Sequence, residues 1–142
     1  MKFGCIGLDH RHIYGMTAGM IDAGAECVDY YTDDSSEPIK GFQKRFPKVP
    51  RVTTPKVLLD DHDIRLVLCA AIPNQRADFA IEAMLKGKDV MVDKPGVISF
   101  EQLKRIKEVQ KQNGALYSID FSEHFEVPSA LKAKELIDEG LI

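Results

Sequence analysis

The sequence predicts a doubly wound α/β domain on a parallel sheet, and three observations lead there. Short apolar runs alternate with segments of helical periodicity from one end of the chain to the other. The run over 65–72 (Arg-Leu-Val-Leu-Cys-Ala-Ala-Ile) lacks polar alternation, as a central parallel strand covered on both faces requires. The first run, Lys-Phe-Gly-Cys-Ile-Gly-Leu from Lys2, ends in a glycine turn that leads into a helical pattern, which is how a βαβ unit begins. In such a sheet the functional loops gather at the carboxyl ends of the strands, so the turn at Gly7 and the later Asp93-Lys94-Pro95 are expected on one edge.

At 142 residues the chain fits a single domain with a real core. Its 44% hydrophobic and 29% charged residues are ordinary globular proportions and indicate neither disorder nor a membrane protein. A net charge of −3, with Lys and Arg scattered along helix faces, argues against a nucleic-acid partner. The three cysteines, Cys5, Cys27 and Cys69, sit in apolar runs without CxxC spacing and read as buried thiols of a reducing compartment. No apolar run approaches about 18 residues and the N-terminus enters a strand directly, so neither a membrane span nor a secretory signal is expected, and the expected location is cytoplasmic.

The first helix is expected from 10 or 12 to 23, with Ile13, Met16 and Met20 on its buried face, Gly15 and Gly19 near it, and Gly24 as its stop. The second strand follows over 26–32 and ends at Asp33 and Asp34. Ser35 or Ser36 caps the next helix, which has Pro38 in its first turn and Ile39, Phe42 and Phe46 as its stripe. Pro47 and Pro50 force a loop, a short strand is expected over 51–53, and a short helix over 55–59 precedes the 65–72 strand. Pro73 and Asn74 open a helix with Ala77, Ala80, Ile81, Met84 and Leu85 at helical spacing, ended by Gly87. After a buried strand over 90–92, Ser99 and Gln102 form a capping box ahead of Leu103, Ile106 and Val109, and Asn113-Gly114 closes that helix. A strand over 115–121 and a helix over 128–139 complete the chain.

The glycine loop departs from the dinucleotide fingerprint G-x-G-x-x-G. Gly7 matches its first glycine, but Asp9 stands at the second and His12 at the third. Asp9 reads either as a direct ligand or as the N-cap of the first helix, with His10, Arg11 or His12 available to offset its charge. Thr32 and Asp33 lie about 20 residues further on, where an acidic side chain meets the ribose of an unphosphorylated cofactor. Thr32 at the reading position would admit a 2′-phosphate, and Asp33 there would favour NAD. The four histidines and three cysteines show no ligand spacing, so no metal site is expected. His62 reads as a loop residue and His124 as part of a Ser-Glu-His-Phe turn.

Together, Gly7-Leu8, Ala71-Ile72-Pro73-Asn74, Gly87-Lys88-Asp89-Val90 and Asp93-Lys94-Pro95 resemble the N-terminal domain of the Gfo/Idh/MocA oxidoreductases, the relatives of glucose–fructose oxidoreductase and inositol dehydrogenase. The likeness covers nearly the whole chain, and its most specific parts are the Pro-Asn turn and the Lys-Pro pair. It implies a Rossmann domain over 1–121 that binds NAD or NADP, followed by a crossover helix in 122–142 that leads toward a second, substrate-binding domain absent from this chain. It implies that Gly7, Leu8, Asp9, His10, His12, Thr32, Asp33, Ala71, Ile72, Pro73, Asn74 and Lys94 surround the cofactor. It also implies that Lys94 contacts the reacting hydroxyl of a sugar or polyol, that Asp93 orients Lys94, and that the bond before Pro95 is cis. An ammonium beside a substrate hydroxyl stabilises developing oxyanion charge, which agrees with that role.

The sequence departs from the family pattern in three places: Asp93 replaces the usual Glu, Ala77 replaces a common histidine, and Asp9 replaces a glycine. The expected function is the cofactor-binding part of an oxidoreductase acting on a CH–OH group, silent in catalysis on its own. The alternatives are a non-catalytic nucleotide-binding or interaction module, or a Rossmann domain for CoA or S-adenosylmethionine. An apolar surface around Phe121, Phe125 and Val127 is expected to favour homo-oligomers.

Overall fold

The computed structural model describes residues 1–33, 35 and 37–142, apart from the side chains of Phe125 and Glu126. The elements run β1 (Lys2–Leu8), α1 (His12–Asp22), β2 (Glu26–Tyr31), α2 (Ile39–Arg45), α3 (Pro55–Asp60), β3 (Ile64–Ala70), α4 (Pro73–Leu85), β4 (Asp89–Asp93), α5 (Phe100–Asn113), β5 (Tyr117–Asp120), α6 (Glu123–Glu126) and α7 (Pro128–Asp138). The five strands form one sheet in the order β2-β1-β3-β4-β5, with every pairing parallel. The chain leaves β1 toward one edge and returns to the other side of it, so the order reverses between β1 and β3. In an open parallel sheet the ligand crevice lies at the carboxyl ends beside such a reversal.

Alternation along the strands divides the core between the two faces of the sheet. Phe3, Cys5, Leu66, Leu68 and Ala70 pack with Ile13 and Met16 of α1 and Phe42 of α2. Ile6, Val67, Cys69, Val90 and Val92 pack on the other face with Leu58, Ala80, Met84 and Ile106. The capping box forms as expected: Ser99 Oγ accepts from the N–H of Gln102 at 3.2 Å, and the Gln102 side chain returns to the N–H of Ile98 at 2.9 Å. Gly114 ends α5 in the left-handed region at φ 72°.

Several expectations are corrected. The strand over 51–53 reduces to a single bridge between Arg51 and Tyr30, because Pro50 and Pro55 leave too short a run to pair further. Met20 packs half-buried against the same core as Ile13 and Met16, and Thr17 is buried beside them, while Gly15 and Gly19 face solvent with open space around them and do nothing to seat the helix on the sheet. Leu85 is exposed at the end of α4. No side chain caps α2; of the two serines proposed for that role, Ser36 lies outside the described residues, as does Asp34. The turn expected around His124 is the short helix α6. Phe121 and Val127 are exposed as expected, while the side chain of Phe125 lies outside the description. All three cysteines are free thiols, with Cys5 and Cys69 fully buried. Among the described residues, no helix is long and apolar enough to cross a membrane.

Lys88 and Asp29 are two buried groups of opposite charge, held separately. Lys88, 2% exposed, donates its ammonium protons to the carbonyls of Asp61 and Ile64, and burial pushes it below the usual lysine range. Asp29 is also buried, and its Oδ1 has no hydrogen-bond partner among the described residues. Desolvation, then the nearby Asp61 carboxylate, raise its pKa to about 6 against the opposing pull of Lys88. Since the folded-state value is raised, the stability gained by protonating this group is complete at low pH and lost as pH rises through about 6. Asp29→Asn is therefore expected to melt above the parent at about pH 8, with the difference shrinking as pH is lowered toward about 4. Thermal unfolding followed across that range measures it.

Candidate functional site

The site begins at the end of β1. Gly7 has φ +69°, and a Cβ there would lie 2.4 Å from the Ala71 Cβ and 2.9 Å from the Ala71 nitrogen. Glycine is required twice, by the backbone conformation and by the close approach of the loop that follows β3. The next residues are pinned on both sides. The N–H of Leu8 donates to the Thr32 hydroxyl at 3.1 Å, and those of Asp9 and His10 donate to the Ala70 carbonyl at 3.1 and 3.2 Å.

Asp9 does not cap α1. The chain makes a further turn through His10 and Arg11 before the helix starts at His12, so Arg11 holds the cap position and no side chain caps the helix. Desolvation raises the pKa of the Asp9 carboxylate, with the Asp33 charge adding to the rise, while the N–H of Ile72 and the Arg76 guanidinium oppose it. At the end of β2 the Thr32 side chain is buried and spent on Leu8, and the Arg51 guanidinium donates to the Thr32 carbonyl. Asp33 is exposed and accepts from the Tyr31 hydroxyl at 3.0 Å.

Arg76, in the first turn of α4, organises the rim. It is 2% exposed, and its Nε donates to the Ala71 carbonyl at 2.6 Å. Its Nη1 reaches the carbonyls of Asp93, Lys94 and Pro95 at 2.9, 2.6 and 3.1 Å, and its Nη2 donates to Asp93 Oδ2 at 2.9 Å. One guanidinium thus ties the loop after β3 to the loop after β4. The Asp93 carboxylate, fully buried, also meets His12 Nδ1 at 2.8 Å and His10 Nδ1 at 3.0 Å. The two imidazoles stand edge to face, 4.3 Å between centroids.

The structure therefore brings Gly7, Leu8, Asp9, His10, His12, Ala71, Ile72, Pro73, Asn74, Asp93 and Lys94 to the carboxyl ends of β1, β3 and β4, with Thr32 and Asp33 at the end of neighbouring β2. The Lys94–Pro95 peptide is cis. Asp93 does not orient Lys94: its oxygens turn to Arg76, His10 and His12, while Lys94 Nζ faces Glu123 Oε1 of α6 at 3.8 Å. The ground for expecting no metal site also fails, because the fold brings together His10, His12 and Asp93, with ligand atoms within 4.8 Å, although their sequence spacing carries no sign of it. Sequence reasoning missed Arg76 and Glu123. Arg76 had a signal, a charge at a position where the Ala77, Ala80, Ile81 and Met84 stripe of α4 turns inward; Glu123 had none.

A protein-family model described as the Gfo/Idh/MocA oxidoreductase family, NAD-binding Rossmann fold, matches residues 6–121. The chain is 32% identical over 139 residues to scyllo-inositol 2-dehydrogenase (NAD(+)) of Bacillus subtilis, covering 95% of this chain and 38% of that protein. A crystal structure from Erwinia carotovora atroseptica superposes with a TM-score of 0.91 at 38% identity, over 99% of this chain and 42% of that one. The myo-inositol 2-dehydrogenase of Lactobacillus plantarum shares the fold, with a TM-score of 0.82 at 21% identity over 100% of this chain and 42% of that one. The chain spans about two fifths of the length of these relatives.

Two substitutions measure how the rim is held. Arg76→Met leaves a buried carboxylate without its guanidinium and is expected to lower stability by about 3–5 kcal/mol. Gly7→Ala adds backbone strain to a clash with Ala71 and is expected to cost roughly 2–4 kcal/mol. Urea denaturation of each variant beside the parent gives both values, and a loss under about 1 kcal/mol for either contradicts its account.

Proposed function

The chain belongs to the Gfo/Idh/MocA oxidoreductase family and has its NAD-binding Rossmann fold, and from that premise we propose that it is the part of a dehydrogenase that holds NAD or NADP and presents a lysine to a CH–OH group. The single observation that carries this reading is the bridge from the β1–α1 loop to the end of β4. His10 and His12 touch Asp93, the neighbour of Lys94, which supports a cofactor path running from the Gly7 turn to the lysine along the carboxyl ends of β1, β3 and β4. In this reading residues 1–121 are the dinucleotide domain, and 122–142 lead out of it.

The residues at the rim suit the group. Gly7 lets the loops after β1 and β3 lie against each other, and α1 offers the crevice its positive dipole end, its first N–H groups being bonded within the turn to the His10 side chain and the His10 and Arg11 carbonyls. Gly7, Leu8, Asp9, His10 and His12 would line the pyrophosphate side. Thr32 and Asp33 would lie at the ribose, and Ala71, Ile72, Pro73 and Asn74 would flank the path to Lys94. A bound nicotinamide supplies or accepts the hydride.

Lys94 contributes a positive charge that stabilises oxyanion character at the substrate hydroxyl. Arg76 positions it by fixing the carbonyls of Asp93, Lys94 and Pro95, and Glu123 balances its charge. The substrate class is a sugar, polyol or similar small molecule. Asp9 favours a second reading, a non-catalytic nucleotide-binding or interaction module, since a carboxylate in the phosphate turn repels a pyrophosphate.

One titration decides between them. NADH and NADPH, each followed by nicotinamide fluorescence, are expected to bind at micromolar concentration. Preference for NADH supports a ribose contact by the exposed Asp33, and preference for NADPH argues against one, with buried Thr32 leaving room for a 2′-phosphate. No binding at millimolar cofactor overturns the dehydrogenase reading, and thermal stabilisation by CoA or S-adenosylmethionine alone would redirect it.

A further inference from the structure

We propose that His10, His12 and Asp93 form a site for a divalent first-row transition-metal ion of the Zn2+ or Co2+ type. Two imidazoles and one carboxylate are a donor set that such ions take, with further coordination positions left open. Their ligand atoms lie within 4.8 Å of one another, converging from the β1–α1 loop and the end of β4.

The spacing suits an ion. Metal–nitrogen and metal–oxygen bonds of about 2.1 Å separate neighbouring ligand atoms by about 3.0 Å at a right angle and about 3.4 Å at the tetrahedral angle. The carboxylate lies 2.8 Å from His12 Nδ1 and 3.0 Å from His10 Nδ1, so small rotations of two partly exposed rings open the required gap.

Arg76 bonds Asp93 Oδ2 and His12 serves Oδ1, so one imidazole suffices to satisfy the buried carboxylate; His10 adds a second imidazole to an oxygen that Arg76 already holds, and the two rings leave a donor set of two nitrogens and a carboxylate. In the proposed site Arg76 is the outer partner that fixes a ligating carboxylate. A groove of about 510 Å3, lined by His12, Met16, Met91 and Asp120 among others, gives an ion access from solvent. On binding, a neutral imidazole carries its proton on Nε2 and offers the Nδ1 lone pair; a protonated one releases a proton.

The test is titration of chelator-treated protein with Co2+ alone, followed by its visible ligand-field bands, and with Zn2+ by calorimetry. A single equivalent with imidazole-ligated bands is expected. His10→Ala and His12→Ala, at partly exposed positions, are expected to keep the parent's circular dichroism and each weaken binding about tenfold or more. His62→Ala is expected to bind like the parent. Absence of bands, bands that survive in the His10→Ala/His12→Ala double variant, or bands lost in His62→Ala overturn the proposal. No dinucleotide is present in these titrations, so failure here and failure of the NADH titration are separate results.

Discussion

The interaction on which the rim depends is the set of bonds made by the Arg76 guanidinium. A buried Arg–Asp pair is ordinarily weak evidence for stability, because desolvating both charges offsets most of their attraction. Here the guanidinium does more than neutralise Asp93. It also satisfies the carbonyls of Ala71, Asp93, Lys94 and Pro95, at and just beyond the ends of β3 and β4. Unpaired buried carbonyls would each carry a desolvation cost, so one side chain compensates several groups that the strand ends leave over. The same bonds fix where Lys94 leaves the sheet. The lysine is thus placed by backbone contacts of its neighbours, and its own ammonium stays free to face Glu123 or a ligand.

Gly7 does for the loops after β1 and β3 what Arg76 does for those after β3 and β4. Any side chain at Gly7 would force the Ala71 segment away, and the crevice at the strand-order reversal would lose one wall. The loops after β1, β3 and β4 are therefore linked in series, first by steric contact and then by a charged hydrogen-bond network. His10 and His12 close the series by reaching from the first loop to the last.

The architecture was legible in the sequence because burial on both faces writes itself into composition. Apolar runs such as 65–72 and the helical spacing of Ala77, Ala80 and Met84 are direct images of the packing. Errors arose where a local cue had to be weighed against tertiary geometry. Gly15 and Gly19 suggested close packing, but the helix turns them to solvent, and the residues over 51–53 could pair only once beside two prolines. The expected site residues fall at the ends of β1 and β4, in the loops after β1, β2, β3 and β4 or in the first turns of α1 and α4, the positions that the alternation of strands and helices makes readable. Their connections were not legible. Asp93 is 81 residues from His12 and 17 from Arg76 in sequence, and only the strand order makes them neighbours. Asp93 next to Lys94 invited a local pairing, whereas successive strand-end residues point in opposite directions.

The altered glycine loop follows from the same geometry. In a glycine-rich turn the backbone itself approaches the phosphates, and the turn gains its shape from residues with no side chain to restrain them. Here the residues at the second and third glycine positions are used as crosslinks: Asp9 takes the N–H of Ile72, and His12 takes Asp93. The loop exchanges close approach for a shape fixed before any ligand arrives. A preorganised rim lowers the ordering cost of binding, while the Asp9 carboxylate raises the electrostatic cost of an anion. Ligand choice at this rim is therefore a balance between a rigid seat and one misplaced negative charge, with Arg76 and the positive dipole end of α1 as the compensating charges.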